Sequence, residues 1–325
     1  MSRRRKSRRR RSFAMQRVRR RRFAVILIII ALVAGVSAFF LHQNPELRET
    51  ITETATDLWD DVSSFFIDLF GGRAPADGYL YVHFIDVGQG DAVLIRTTQG
   101  AVLIDGGDNH MGQRVLDYLH SQGVRELAYV IATHPHADHI GGLIPVISEF
   151  PIDTLIMPNV THTTLTFERF INALEDSDIN VIPPVVGDTF AIGDAVFTII
   201  APNSSGHSNL NDYSVATRLT FGSTSFLFTG DAERASEAEM AAFHNLSSNV
   251  LHVGHHGSNT STTEEFLAAV NPQIAIISVG EGNIHNHPHS GIITRLVTNG
   301  VRIYRTDIHG DVVVVSDGTN ITVNY

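Results

Sequence analysis

The sequence predicts a layered α/β domain, with β-sheet at its centre and helices outside, preceded by one membrane-spanning helix. Three observations carry that reading. From Tyr79 onward, short runs rich in β-branched and aromatic residues recur: YLYVHFIDV, AVLIRT, AVLID, AYVIAT, TLIM, AVFTII, YSVATRLTF, TSFLFTG, QIAIISV, VRIY and DVVVVS. Helix-like stretches separate several of them, which is the layered α/β pattern. Residues 23–41, FAVILIIIALVAGVSAFFL, carry no charge over roughly the 20 positions that a bilayer-spanning helix needs.

Of the 24 basic residues, 13 lie in the first 22 positions, directly before that apolar run, and the first acidic residue is Glu46. By the positive-inside rule the basic block stays in the cytoplasm, and everything after Leu41 faces outward. Arginine runs also bind nucleic acid or anionic lipid, and Val36-Ser37-Ala38 loosely resembles a signal-peptide cleavage site. The apolar run is longer than a usual signal core, so a retained single-pass anchor in the cell membrane is expected. A twin-arginine match at Arg20-Arg21-Arg22-Phe23 carries no weight inside a poly-arginine tract.

Residues 45–70 space Ile51, Leu58, Val62, Phe65, Phe66 and Leu69 at roughly helical intervals with acids between them. This predicts a stalk helix packed on the domain. A membrane-surface helix would show a basic polar face instead. Gly71-Gly72 followed by Ala74-Pro75-Ala76 reads as a hinge. The expected organisation is a basic tail (1–22), an anchor (23–41), a juxtamembrane helix and linker (42–77) and the α/β domain (78–325). Within the domain, early strands follow one another as hairpins do. Later ones alternate with helices expected near 112–122, 166–177, 233–246, 263–270 and 290–299.

The chain has no cysteine, which excludes disulfides, thiolate metal sites and a cysteine nucleophile together. After residue 22 it carries 11 arginines against 34 acidic residues, a formal charge of −23. A nucleic-acid enzyme ordinarily shows a basic footprint, and no such cluster is visible there.

The chemistry concentrates in ATHPHADHIGGL. His134, His136, Asp138 and His139 fall within six residues at the C-terminal end of a buried strand, where α/β folds place ligands. Imidazoles and a carboxylate at this density suit zinc, manganese or iron, and Gly141-Gly142 supply tight backbone turns. His134 and His136 can point to one ion, and Asp138 and His139 to a second. One loop cannot complete two coordination shells. FLFTGD ends a strand in Asp231, which alone reads as a helix N-cap. LHVGHHGS ends another in His255 and His256, which alone read as polar loop residues. Together the three segments read as one metal site.

The order HPHADH, TGD, HHGS is similar to the metallo-β-lactamase fold superfamily. Within it, FIDVGQGDAVLI, LIDGG, THPHADHIGG, NDYSVATRL, FLFTGD, GHHGSNTS and SVGEGN…HPH resemble the soluble domain of ComEC-type competence proteins over residues 82–311. The resemblance implies a four-layer αββα sandwich and two divalent metal ions, zinc first. His134 and His136 would bind the first ion, Asp138 and His139 the second, with Asp231 bridging. His255 would complete the second site, with His256 as the close alternative. Many members supply a further histidine to the first ion. The corresponding segment here, NSSGHSNLNDYS, makes Asn211 the candidate, with Asp212 and His207 behind it. That departure makes the site richer in oxygen and would move metal preference toward manganese.

Asp91 of DVGQGD reads either as a carboxylate orienting a ligand histidine or as ordinary hairpin chemistry; Asp86, in the same motif, and Asp105 of LIDGG share the ambiguity. By resemblance, Ser258, Asn283 and His287 cluster near the cleft, where His287 would hold a phosphate oxygen or donate to a leaving group. His162, His244 and His309 read as surface histidines. The expected activity is metal-assisted hydrolysis, with Asp138 positioning the water and a phosphodiester as substrate. DNA is the first choice by resemblance. Choline-bearing teichoic acid or a small phosphoester is the alternative, and a β-lactam follows from fold alone. A catalytically weak binding module that uses metal for structure is the competing class. Nothing in the sequence asks for an obligate protein partner.

Overall fold

The computed structural model describes residues 75–325; the basic tail, the expected anchor, the stalk helix and most of the linker after it lie outside the described residues. Among the described residues no helix is long and apolar enough to cross a membrane.

The described residues begin with a meander: β1 (Leu80–Phe84), β2 (Val93–Thr97) and β3 (Gly100–Ile104) pair antiparallel. The pattern then turns parallel through β4 (Leu127–Ile131), β5 (Ile152–Ile156) and β6 (Asn180–Ile182). The second sheet repeats the switch. β7 (Thr189–Ile192), β8 (Ala195–Ala201), β9 (Ala216–Phe221) and β10 (Thr224–Phe228) are antiparallel. From β10, β11 (Val250–His252), β12 (Ile274–Ile277) and β13 (Arg302–Arg305) run parallel. Finally β14 (Val312–Ser316) and β15 (Ile321–Asn324) return to β1, giving sheets of eight and seven strands among the described residues.

The strand sequences explain the layering. Neighbouring residues of a strand point to opposite faces, and here both faces are covered, so the strands read as nearly continuous apolar runs. Val93, Ile95, Val102 and Ile104 meet Phe226, Phe228, Ile274 and Ile276 between the two sheets. Their neighbours Leu94 and Leu103 face outward onto α1 (Gly112–Ser121), α3 (Leu143–Glu149) and α4 (Leu165–Glu175). A short α2 (Ala137–Ile140) lies between α1 and α3. On the other side, Leu227, Ala275 and Ile277 pack with α5 (Arg234–Phe243), α6 (Glu264–Val270) and α7 (Ser290–Thr298). A last turn, α8 (Thr306–His309), precedes β14.

All five helices expected between the strands form, within a few residues of their predicted ends. Helix α3 escaped prediction because Pro145 sits in LIPVISE. Pro145 occupies the first turn, where a helix has no use for its N–H, so the helix tolerates it. The sequence also hid β6 and β15. Both are edge strands, β6 with all three residues exposed and β15 with none buried, so neither has a burial pattern to read.

Candidate metal centre

The ends of β3, β4, β10 and β11 bring their loops to one rim of the sandwich. From the first sheet, the turn after β4 presents His134 and His136, and α2 carries Asp138 and His139. From the second sheet, the turn after β10 presents Asp231, and a tight turn after β11 (Gly254–Gly257) presents His255 and His256.

Asp231, 2% exposed, is the meeting point. Its Oδ1 lies 3.3 Å from His139 Nε2 and 3.6 Å from His256 Nε2. Its Oδ2 lies 3.6 Å from His255 Nε2 and 3.7 Å from His134 Nε2. Asp138 Oδ2 is 3.4 Å from His256 Nε2 and 4.0 Å from His139 Nε2. His134 Nε2 and His136 Nδ1 are 2.9 Å apart. Donors bonded at 2.0–2.1 Å to a tetrahedral ion sit about 3.3 Å from one another, so these spacings suit metal ligation. His139 Nε2, His256 Nε2 and Asp231 Oδ1 are buried and make no hydrogen bond despite their closeness. Three orphaned polar atoms converging on one point fit a cation between them.

Carboxylates and hydroxyls fix the far side of these rings. Asp105 Oδ2 lies 2.8 Å from His139 Nδ1 and also accepts the Thr133 hydroxyl at 2.7 Å. His256 Nδ1 lies 3.0 Å from the Ser278 carbonyl and 3.2 Å from Asp91 Oδ1. His134 Nδ1 lies 3.1 Å from Thr133 Oγ1 and 3.3 Å from Ser214 Oγ, which also accepts the Asp231 N–H at 3.1 Å. His255 Nδ1 lies 3.1 Å from Thr260 Oγ1 and 3.3 Å from Glu233 Oε1. Holding Nδ1 in this way sets each tautomer and aims Nε2.

The charges follow from this packing. Burial alone would push His139 down, but the Asp231, Asp105 and Asp138 carboxylates raise it well above its ordinary value. His256 is likewise raised by Asp231 and Asp91 against burial. Burial and the neighbouring His139 lower His134 and His136. Burial works against ionisation of Asp231 and Asp138, yet His139 and His256 hold both carboxyls well below the usual range. Asp105 is raised by burial, against the pull of His139.

Other residues singled out in the sequence fall nearby. His287 Nδ1 is buried without a partner, and its ring centroid is 5.5 Å from that of His255. Burial and the neighbouring imidazoles push it down to about 4. Asn283 clamps the same turn, its Oδ1 accepting the His287 N–H at 3.0 Å and its Nδ2 donating to the His287 carbonyl at 2.6 Å. Ser258, buried, pairs with Thr260 at 3.0 Å. Asp86 accepts the Gly88 N–H at 3.0 Å within its own turn, which is turn chemistry as placed. Asn211 Nδ2 donates to Glu233 Oε1 at 2.9 Å, and its Oδ1 is buried without a partner. Asp212 accepts the backbone N–H groups of Glu233 and Ser236. His207 lies apart, 3.6 Å from Glu239. His162, read as a surface residue, stands beside the centre, its ring 5.6 Å from His136. Glu233, Ser214, Thr133 and His252 were not legible. Glu233 lies two residues past TGD with no motif of its own, and His252, 3.6 Å from Asp91, is a lone histidine in a strand.

Two glycines let the loops close. A Cβ on Gly142 would overlap the Gly106 carbonyl oxygen, so the pair after HPHADH serves close approach rather than a left-handed turn. Gly90, at φ +132°, would drive a Cβ into the Asp138 carbonyl oxygen. Gly90→Ala is therefore expected to cost about 3 kcal/mol or more in a urea melt and to weaken metal binding by displacing Asp138. A melt within 0.5 kcal/mol of the parent, about the ordinary surface-substitution range, would show that the loop relaxes freely.

The sequence model of the metallo-beta-lactamase superfamily matches residues 85–281. The chain is 31% identical over 250 residues to ComE operon protein 3 of Bacillus subtilis, covering 71% of this chain and 32% of that one. It is 30% identical over 228 residues to competence protein ComA of Neisseria gonorrhoeae, covering 69% and 30%. It is 32% identical over 236 residues to recombination protein 2 of Haemophilus influenzae, covering 71% and 28%. The chain thus spans about a third of the length of these relatives. With its two-sheet core, its rim of histidines around Asp231 and this match, the chain belongs to the metallo-β-lactamase superfamily.

Proposed function

We propose that this domain is a dinuclear metal-dependent phosphodiesterase, held outside the cell membrane by residues 23–41, with DNA as its first-choice substrate. The observation that carries the reading is the Asp231 carboxylate, whose two oxygens each face a separate pair of imidazole nitrogens at 3.3–3.7 Å. His134, His136 and Asp231 would hold the first ion, and Asp138, His139, Asp231 and His256 the second. Imidazole outnumbers carboxylate in the first set and equals it in the second, a mixed nitrogen and oxygen environment that suits zinc, with manganese the alternative. Divalent ions held there lower the pKa of water and neutralise charge on a phosphoryl oxygen.

The chain's own groups do the rest. Asp138 is the most solvent-facing carboxylate of the set, with its side chain 31% exposed, and it stays ionised. It accepts a hydrogen bond from water at the mouth and orients it. His287, neutral at pH 7, offers a hydrogen bond to a phosphate oxygen or the leaving group. The buried Asp105 and Asp91 keep the ligand rings aimed.

The competence relatives support DNA. The charge balance after residue 22, 11 arginines against 34 acids, favours a second reading, a small or cell-wall phosphodiester such as choline-bearing teichoic acid. A test follows with the full chain purified without chelator. Two ions per chain, with cleavage of both bis-p-nitrophenyl phosphate and plasmid DNA, is the expected result. Cleavage of the small ester alone would move the substrate to the cell wall. Absence of turnover on any phosphodiester would leave a metal-containing binding module.

A further inference from the structure

The sequence supplies only two histidines to the first ion and leaves its completion to Asn211. The geometry offers a different donor. His255 Nε2 faces Asp231 Oδ2, the oxygen that His134 also faces, whereas His256 Nε2 faces Oδ1, the oxygen that His139 faces. We propose that the consecutive residues His255 and His256 serve different ions, His255 completing the first with His134 and His136, and that Glu233 is the positioning residue that aims it. This rests on the dinuclear reading above.

The backbone shows how adjacent residues reach two places. Both occupy the left-handed region, His255 at φ 52° and ψ 44°, His256 at φ 55° and ψ 23°. Residues other than glycine rarely adopt this conformation, and it persists where surroundings impose it. The two rings end with centroids 6.0 Å apart and planes at 72°. His256 is buried and leans on Asp91 and the Ser278 carbonyl. His255 is partly exposed and leans on Glu233 and Thr260.

Glu233 is itself held. Its N–H donates to Asp212 Oδ1 at 3.0 Å, and its Oε1 accepts from Asn211 Nδ2 at 2.9 Å. That oxygen lies 3.3 Å from His255 Nδ1, which leaves Nε2 for the ion. The arrangement parallels Asp105 at His139 and Asp91 at His256: each of the three rings has a carboxylate beside Nδ1. Asn211 then acts on the first ion through Glu233 and His255.

Counting ions in variants of the full chain tests this. Glycine accepts the left-handed backbone, so His255→Gly and His256→Gly remove the rings without straining the turn. Each single variant is expected to keep one ion of two. The double variant His134→Ala/His255→Gly should still keep one, because both lesions fall on the same ion, and His134→Ala/His256→Gly should keep none. Competition with a chromophoric chelator should show Glu233→Ala weakening one ion by about 10–100-fold, as loss of an orienting partner does. Glu233→Gln, which retains an acceptor oxygen, should recover part of that loss, and Glu233→Ala should add nothing in the His255→Gly background. A His255→Gly variant that holds two ions as tightly as the parent overturns the proposal. So does Asn211→Ala losing an ion that Glu233→Ala retains. A parent chain with fewer than two ions overturns the dinuclear reading itself.

Discussion

Asp231→Asn is expected to abolish binding of both ions and to lower hydrolysis at least about 1,000-fold, which corresponds to some 4 kcal/mol of transition-state stabilisation. Asp231 is the one carboxylate shared by both donor sets, and four imidazole nitrogens lie 3.3–3.7 Å from it. The same change acts on the metal-free protein. There the buried carboxylate offsets the charge of His139 and His256, both raised well above their ordinary values. Removing one partner of a buried ion pair costs about 3–5 kcal/mol, because the other is left uncompensated. Urea melts in chelator should show that loss, and elemental analysis the missing ions. Two ions retained by Asp231→Asn would end the bridging assignment.

Loading of the second ion at pH 7 is expected to release about two protons. His139 and His256 are protonated in the metal-free protein, since burial, which lowers them, is outweighed by Asp231, Asp105, Asp138 and Asp91. A ligand imidazole must be neutral, so each gives up its proton when the ion binds. His134 and His136 are lowered by burial and by His139, so these two rings release none. Affinity for the second ion should rise about tenfold per pH unit for each proton released. For the metal-free fold the sign runs the other way. Raised histidines stabilise it below their unfolded value of about 6.5, and that contribution is lost as pH rises through the folded-state values. Calorimetry in buffers of different ionisation enthalpy counts the protons. A binding enthalpy that does not depend on buffer would show that the rings are already neutral.

Much of this was legible beforehand because the ligands lie in dense local clusters. HPHADH places four donors in six residues, and no single-residue explanation survives that density. TGD and HHGS were ambiguous singly and became readable only together. The sheet core was legible through apolar runs such as TSFLFTG, whose alternate residues face a neighbouring sheet and a helix layer. What stayed hidden depends on contacts between distant segments. Nothing local marks Glu233 as a partner of His255, or Asp105 as a partner of His139 rather than a hairpin residue. Asn211 illustrates the limit: the family resemblance made it the candidate for the first ion, but its bond to Glu233 exists only in three dimensions. The segments read as tail, anchor and stalk lie outside the described residues.

The division of the ligands between the sheets has a polymer consequence. One sheet contributes the HPHADH donors, and the other Asp231 and the histidine pair. An ion bound by both closes a long chain loop as a cross-link would, and it does so only in the folded state. Its binding free energy therefore adds to that of folding, and metal loss and parting of the sheets at that rim become one thermodynamic event.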